Sequence, residues 1–218
     1  MNEMKNLTSL TEAESCAQKL VRTIEENPDF ARKEECLTAL KELLNLYPGS
    51  PMAKAYARGL FAYFSATDSC MLSCTYMPCL HELEGLMKAW PEAEIADLYA
   101  AALLEVLEWH DLYSELRYRE GTMKEGANLL SAVEYFKKHQ SDHQDAVSWN
   151  RPDSFVAALQ KLLEQYPTEV MAKNYGDGLI FILKKEQDPA KKHEYHEQLK
   201  QLCLKYPGLK AALDPHHS

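Results

Sequence analysis

"YPGSPMAKAYARGLF", Tyr47–Phe61, returns as "YPTEVMAKNYGDGLI", Tyr166–Ile180, 119 residues (166 − 47) further along a chain of 218. The aromatic-proline pair that opens both copies occurs twice more, at Trp90-Pro91 and Tyr206-Pro207. Pro48 to Pro91 is 43 residues, Pro91 to Pro167 is 76, and Pro167 to Pro207 is 40. The middle interval is two periods of 38, so one copy between Pro91 and Pro167 has lost its mark. A fixed period of this size is the signature of a helical-repeat architecture.

The residues before each proline align without gaps as "LTALKELLNLYP", "LHELEGLMKAWP", "VAALQKLLEQYP" and "HEQLKQLCLKYP". Their apolar columns are Leu40/Leu83/Leu159/Leu199, Leu43/Leu86/Leu162/Leu202 and Leu44/Met87/Leu163/Cys203. Offsets of three, four and seven place these columns on one face of a helix. Proline ends the helix because it disfavours the α conformation of the residue before it. Burial is expected for the first two columns and for Tyr47, Trp90 and Tyr166 at the last turn.

A second pattern follows the proline. Ala53/Ala96/Ala172, Tyr56/Tyr99/Tyr175, Ala57/Ala100/Gly176 and Leu60/Leu103/Leu179 fall in register. Small residues in these columns let two helices cross closely, and that packing accounts for Gly59, Gly176 and Gly178 inside helices, each at a propensity cost of about 1 kcal/mol against Ala. Ser50-Pro51, Thr168 and Asp188-Pro189 supply start signals. No segment sustains the alternation of a strand. The pattern predicts helices near 11–26, 31–46, 51–66, 78–89, 93–112, 115–139, 153–165, 169–186 and 189–205. They form a single all-α domain over 1–218, with units near 11–30, 31–66, 78–112, 113–150 (degenerate), 153–186 and 189–213 (a truncated cap).

The runs at 39–48 and 158–167, each followed by an Ala/Tyr/Gly-Leu helix, resemble the tetratricopeptide (TPR) class of helical repeats. The likeness covers about 36–110 and 153–207. The period departs from the family's, which is about 34 residues, and the Trp-Leu-Gly-Tyr order of the first TPR helix is absent. The resemblance implies a right-handed α-solenoid of stacked antiparallel helix pairs, TPR-like or HEAT-like, that acts as a protein-interaction scaffold.

Composition narrows the partners. The formal net charge is −9, which opposes nonspecific nucleic-acid binding and an anionic membrane surface. The N-terminus has no apolar core of a signal peptide, and the longest apolar run, "LYAAALLEVLEW", holds Glu105 and Glu108. A cytoplasmic protein is expected, with Cys16, Cys36, Cys70, Cys74, Cys79 and Cys203 as reduced thiols.

Catalytic signatures are absent. There is no Walker A run, no Gly-x-Ser-x-Gly and no His-Glu-x-x-His, so no enzyme activity and no cofactor are expected. "CMLSCTYMPCLH" (70–81) gathers Cys70, Cys74, Cys79 and His81, all of them zinc-ligand types. The spacing is not the paired C-x2-C form, the stretch reads as a turn between helices, and no Lys or Arg lies within it to activate a thiol. Thiols filling a loop are the structural reading; a small metal-binding or redox protein is the alternative. His139 and His143, four apart around Asp142, read as a solvated helix end, and His193 and His196 lie on a repeat helix. Tyr113, Tyr118, Trp109 and Trp149 stand off the repeat columns and mark a possible aromatic patch.

The expected function is non-enzymatic binding of a protein or peptide on the concave face of the array. A self-assembling structural protein is a further alternative. The second helices offer Lys54/Asp97/Lys173 and, one turn on, Arg58/Ala101/Asp177. These columns change sign between copies while the core columns do not, so Lys54, Arg58, Asp97, Lys173, Asn174 and Asp177 are the candidate groove residues.

Overall fold

The computed structural model describes residues 9–66, 72–120, 152–210 and 213, with side chains described over 9–66, 78–107, 152–210 and 213. Among these residues it is all-α, with eight α-helices and no strand. The helices are α1 (Leu10–Glu26), α2 (Phe30–Leu46), α3 (Ser50–Ser65), α4 (Leu72–Ala89), α5 (Ala93–Glu120), α6 (Pro152–Gln165), α7 (Glu169–Lys185) and α8 (Pro189–Lys205). A 3-10 turn, Pro207–Leu209, follows α8.

Most helix ends fall where the sequence puts them. Ser9, Asp29, Thr168 and Asp188 cap α1, α2, α7 and α8 through side-chain oxygens that accept from backbone N–H groups. These satisfy donors that a helix start leaves without an intrahelical partner. At α3 the expected cap is corrected: Ser50 is the first helical residue and Gly49 occupies the cap position with no side-chain bond. The Ser50 hydroxyl is engaged instead by Glu92.

Two further expectations are corrected. α4 does not start at Pro78 but at Leu72, with Pro78 inside it, so 72–81 is helix rather than turn. Proline there removes the N–H that the Cys74 carbonyl would receive, at a cost of about 3 kcal/mol or more. Burial of Cys79, Leu80 and Leu83 just downstream offsets that cost. α5 also runs unbroken through Tyr113 and Ser114, where a boundary between two helices is expected. The rest of the predicted 115–139 helix, with His139, His143 and Trp149, lies outside the described residues.

The four aromatic-proline sites share one geometry. The N–H groups of Tyr47, Trp90, Tyr166 and Tyr206 donate to the carbonyls of Leu43, Leu86, Leu162 and Leu202, at 2.8 Å in each copy. Tyr47 and Tyr206 leave the helix at φ −127°, ψ 66° and φ −126°, ψ 76°. The following proline disfavours the α conformation at these residues. Tyr47, Trp90 and Tyr166 are half-buried, less covered than their columns suggest.

The described residues fall into two compact units, those up to Ala102 in one and those from Leu103 on in the other. In the first, α1, α2 and α3 pack on one another and α4 packs on α3. Gly59 marks the tightest approach. A Cβ there would stand 2.5 Å from Leu40 Cδ1 and 3.2 Å from Ile24 Cδ1, so the lost propensity gives room for α1 and α2 together. In the second unit α7 packs between α6 and α8. A Cβ on Gly176 would meet Leu213 Cδ1 at 2.5 Å and Leu202 at 3.2 Å. Every position of the four second-helix columns is buried, from Ala53 to Leu179. Leu40, Leu43, Leu83, Leu86, Leu159 and Leu162 are buried too.

Candidate functional site

The charged columns of the second helices resolve into local pairs. In the first unit, Lys54 Nζ lies 3.4 Å from Glu92 and the Arg58 guanidinium 2.5 Å from Glu94. The Ser50 hydroxyl, then Lys54, hold the Glu92 carboxyl below its ordinary range. These contacts run from α3 to the start of α5, and exposed pairs of this kind contribute little to stability, about 0–1 kcal/mol. Asp97 is half-buried on α5. In the second unit, Lys173 pairs with Asp177 one turn away at 2.7 Å. Asn174 is 9% exposed, and its Nδ2 is buried with no hydrogen-bond partner among the described residues. It is an internal polar group rather than part of the exposed face that Lys173 presents.

Cys79 is buried and close enough to Tyr56 and Tyr63 on α3 for its charge to be felt there. His81 lines a cleft that also includes Tyr56 and Glu82. Among the described residues no group of three or more His, Cys, Asp or Glu side chains is placed to hold a metal ion. Burial, then Glu82, push the Cys79 thiol up to about 12, which withholds the thiolate that binds metal or attacks an electrophile. Cys70 lies outside the described residues, and the Cys74 side chain does as well. Cys16, Cys36, Cys79 and Cys203 are free thiols.

The larger feature is the cleft itself, of ≈ 630 Å³, between α2 and α4 of the first unit. Lys41, Leu44, Asn45 and Pro48 form its α2 wall, spaced by three and four as one helical stripe. Pro78, His81, Glu82, Gly85 and Leu86 form the α4 wall, with Trp90 beyond the helix end. Tyr56 of α3 is the floor and is 3% exposed. Lys41 meets Glu82 near one end while Pro48 and Trp90 close the other, so α2 and α4 run in the same direction.

A polar chain crosses the floor. Tyr56 O–H donates to the Glu82 carboxylate, which also receives the Lys41 ammonium. Burial first, and the bond to Glu82 second, push the Tyr56 phenol well above its ordinary value. His81 has its Nε2 buried. The second unit contains a counterpart of the tyrosine contact: Tyr175 O–H donates to Gln198 Oε1 at 2.9 Å. Tyr56 and Tyr175 share one repeat column, and Glu82 and Gln198 share another.

Gly85 lines the cleft. It is an exposed residue inside α4, and a Cβ added there would meet nothing within 4 Å. No packing contact explains it. The other copies carry Glu42, Lys161 and Gln201 at this column, all long polar side chains. Gly85→Ala is expected to raise stability by about 0.5–1 kcal/mol, through helix propensity and a less free unfolded chain. A urea midpoint that falls instead would mean that the space beside Gly85 is filled.

The repeat columns point to charged residues on the second helices, whereas the walls of this cleft come from first helices. The available signal was the break in the Glu42/Gly85/Lys161/Gln201 column. No described helix is long and apolar enough to cross a membrane. No protein-family model, curated protein or solved structure matches the chain.

Proposed function

We propose that the chain is a non-enzymatic scaffold, a TPR-like right-handed α-solenoid of helix hairpins with a period of about 40 residues, which binds a protein or peptide partner in the cytoplasm. The observation that carries the binding reading is the α2–α4 cleft, whose volume of ≈ 630 Å³ lies within the range of about 300–1,000 Å³ typical of ligand sites. Three features support the repeat. The aromatic-proline ends are alike in all four copies. The tyrosine latch recurs as Tyr56–Glu82 and Tyr175–Gln198. Lys41–Glu82 joins first helix to first helix, and Lys54–Glu92 and Arg58–Glu94 join second helix to second helix. Stacked hairpins of one kind make such like-to-like contacts between neighbours.

A binding role also fits the titratable groups. Catalytic nucleophiles require a lowered pKa or an adjacent base, whereas Tyr56 and Cys79 are both held neutral by burial. The charge of −9 favours protein partners over nucleic acid or an anionic membrane.

The test is affinity capture from the native host with the wild-type chain and Gly85→Leu in parallel, then titration of the purified partner. A Cβ at 85 would meet no atom within 4 Å, so leucine there adds apolar bulk at a residue that lines the cleft. Affinity is expected to fall about tenfold or more, as loss of a central pocket contact does. Lys54→Glu/Arg58→Glu should change affinity little, because neither residue lines the cleft. The opposite ranking would return the binding site to the second helices.

A further inference from the structure

We propose that α7 and α8 form a second binding site, which takes a helical turn bearing leucines four residues apart, and that the chain's own Leu209 and Leu213 occupy it as a latch. The site lies in the second unit and is independent of the α2–α4 cleft.

The seated leucine shows the shape of the site. Leu213 is 3% exposed and Leu209 6%. The Leu213 N–H donates to the Leu209 carbonyl at 2.9 Å, so the two residues stand one helical turn apart. The methyl groups of Leu213 enter a notch at Gly176. A Cβ there would come within 2.5 Å of Leu213 Cδ1 and 2.8 Å of its Cδ2, with Leu202 Cδ2 of α8 at 3.2 Å. Near the start of α7, a Cβ on Gly208 would run into the Glu169 carboxylate. Glu169 and Gly176 are seven apart on one face of α7, so the segment follows α7 in the same direction for about 10 Å.

Knob and notch both depart from the repeat. Six residues after the proline of each aromatic-proline pair stand Lys54, Asp97, Lys173 and Leu213. The column is charged in three copies and carries a buried leucine in the fourth. Nine residues after the first three prolines stand Ala57, Ala100 and Gly176. A methyl group at 176 would strike the seated leucine. The two exceptions therefore meet each other, and simple truncation of the array explains neither.

The segment is held by apolar contact. Its backbone bonds are local: Leu209 N–H to Tyr206, Lys210 N–H to Pro207 and Leu213 N–H to Leu209. Among the described residues, no hydrogen bond or ion pair joins 207–210 or Leu213 to α7. Burial of two leucines is thus set against the entropy of ordering the chain from Pro207 to Leu213. The two are of the same order, so the latch opens while α7 and α8 stay folded. An open latch leaves a leucine-shaped notch, and a partner's turn with the same spacing fits the same seat. Affinity for that turn is lowered by the closed fraction of the chain.

The probe is a fluorescein-labelled peptide of residues 206–218, titrated against the full chain and read by anisotropy. Leu213→Asp in the chain unseats the latch, because a carboxylate in an apolar notch has no partner. The peptide is expected to bind this variant about tenfold or more tighter than wild type. The same peptide carrying Leu213→Asp should not bind. Gly176→Ala, added to the Leu213→Asp chain, should weaken binding about tenfold, and alanine is the residue of the other copies, so the helix is kept. Equal affinity of the peptide for wild type and Leu213→Asp overturns the proposal, and so does no binding to either at millimolar peptide. Hydrogen exchange on the wild-type chain needs no variant. The Lys210 and Leu213 amides should exchange well before those of Leu179 and Ile182 in α7. Exchange at one common rate, or a Leu213→Asp chain that no longer folds, would make the segment part of the core and overturn the latch.

Discussion

Leu43→Ala and Leu159→Ala are each expected to lower the unfolding free energy by about 2–5 kcal/mol, through lost burial and the cavity left behind. Both side chains are 0% exposed. Leu43 tests the first unit and Leu159 the second. Against a usual total of about 5–15 kcal/mol, either loss is large, and a urea titration followed by circular dichroism will read it as a lower midpoint. The neighbouring aromatics sharpen the test. Tyr47→Ala and Tyr166→Ala remove larger side chains, yet each should cost only about 1 kcal/mol, the general level for a substitution outside the core. Their rings are half-buried, and the backbone bond that ends each helix does not involve the side chain. If the tyrosines cost more than the leucines, the stripe has been assigned to the wrong columns.

That contrast marks how much of the molecule is legible in the sequence. Helical periodicity is a local signal, so α6 and α8, predicted at 153–165 and 189–205, appear at Pro152–Gln165 and Pro189–Lys205. The buried columns follow for the same reason. Proline is more ambiguous. It reads as a stop at Pro48, Pro91, Pro167 and Pro207, and it is one; it reads as a start at Pro78, where the helix instead continues from Leu72. The local rule gives the cost of proline inside a helix, but tertiary packing decides whether that cost is met. The cleft was the least legible feature. Its walls are two stripes on helices far apart in sequence, each unremarkable alone. Lys41, Glu82 and Tyr56 become a network only when α2, α4 and α3 meet. The charged columns are hard to read for a related reason: the neighbours of Lys54 and Arg58, Glu92 and Glu94, lie a hairpin away in sequence.

The buried tyrosines make stability depend on alkaline pH. Burial pushes Tyr63 and Tyr175 up to about 12, and Tyr56 and Tyr99 higher still. Cys79 moves to about 12 from an ordinary 9.0. All five are acids whose neutral form is favoured in the folded chain. Below their ordinary values both states are protonated and stability does not change on their account. Above those values the unfolded chain releases protons that the folded chain keeps, so stability falls as pH rises. The fall begins near 9 with Cys79 and steepens from 10 as the tyrosines join. Each group that ionises only on unfolding adds about 1.4 kcal/mol per pH unit to the slope. Urea midpoints between pH 7 and 11.5 should therefore drop ever more steeply, and Tyr99→Phe should flatten the curve by about one group. Phenolate absorbance gives an independent reading. At least four of the chain's 12 tyrosines should appear only as the helical signal is lost, in one cooperative step. If all 12 ionise smoothly near 10 while the helical signal persists, the tyrosines are open to water and the inner columns of the second helices are not a core.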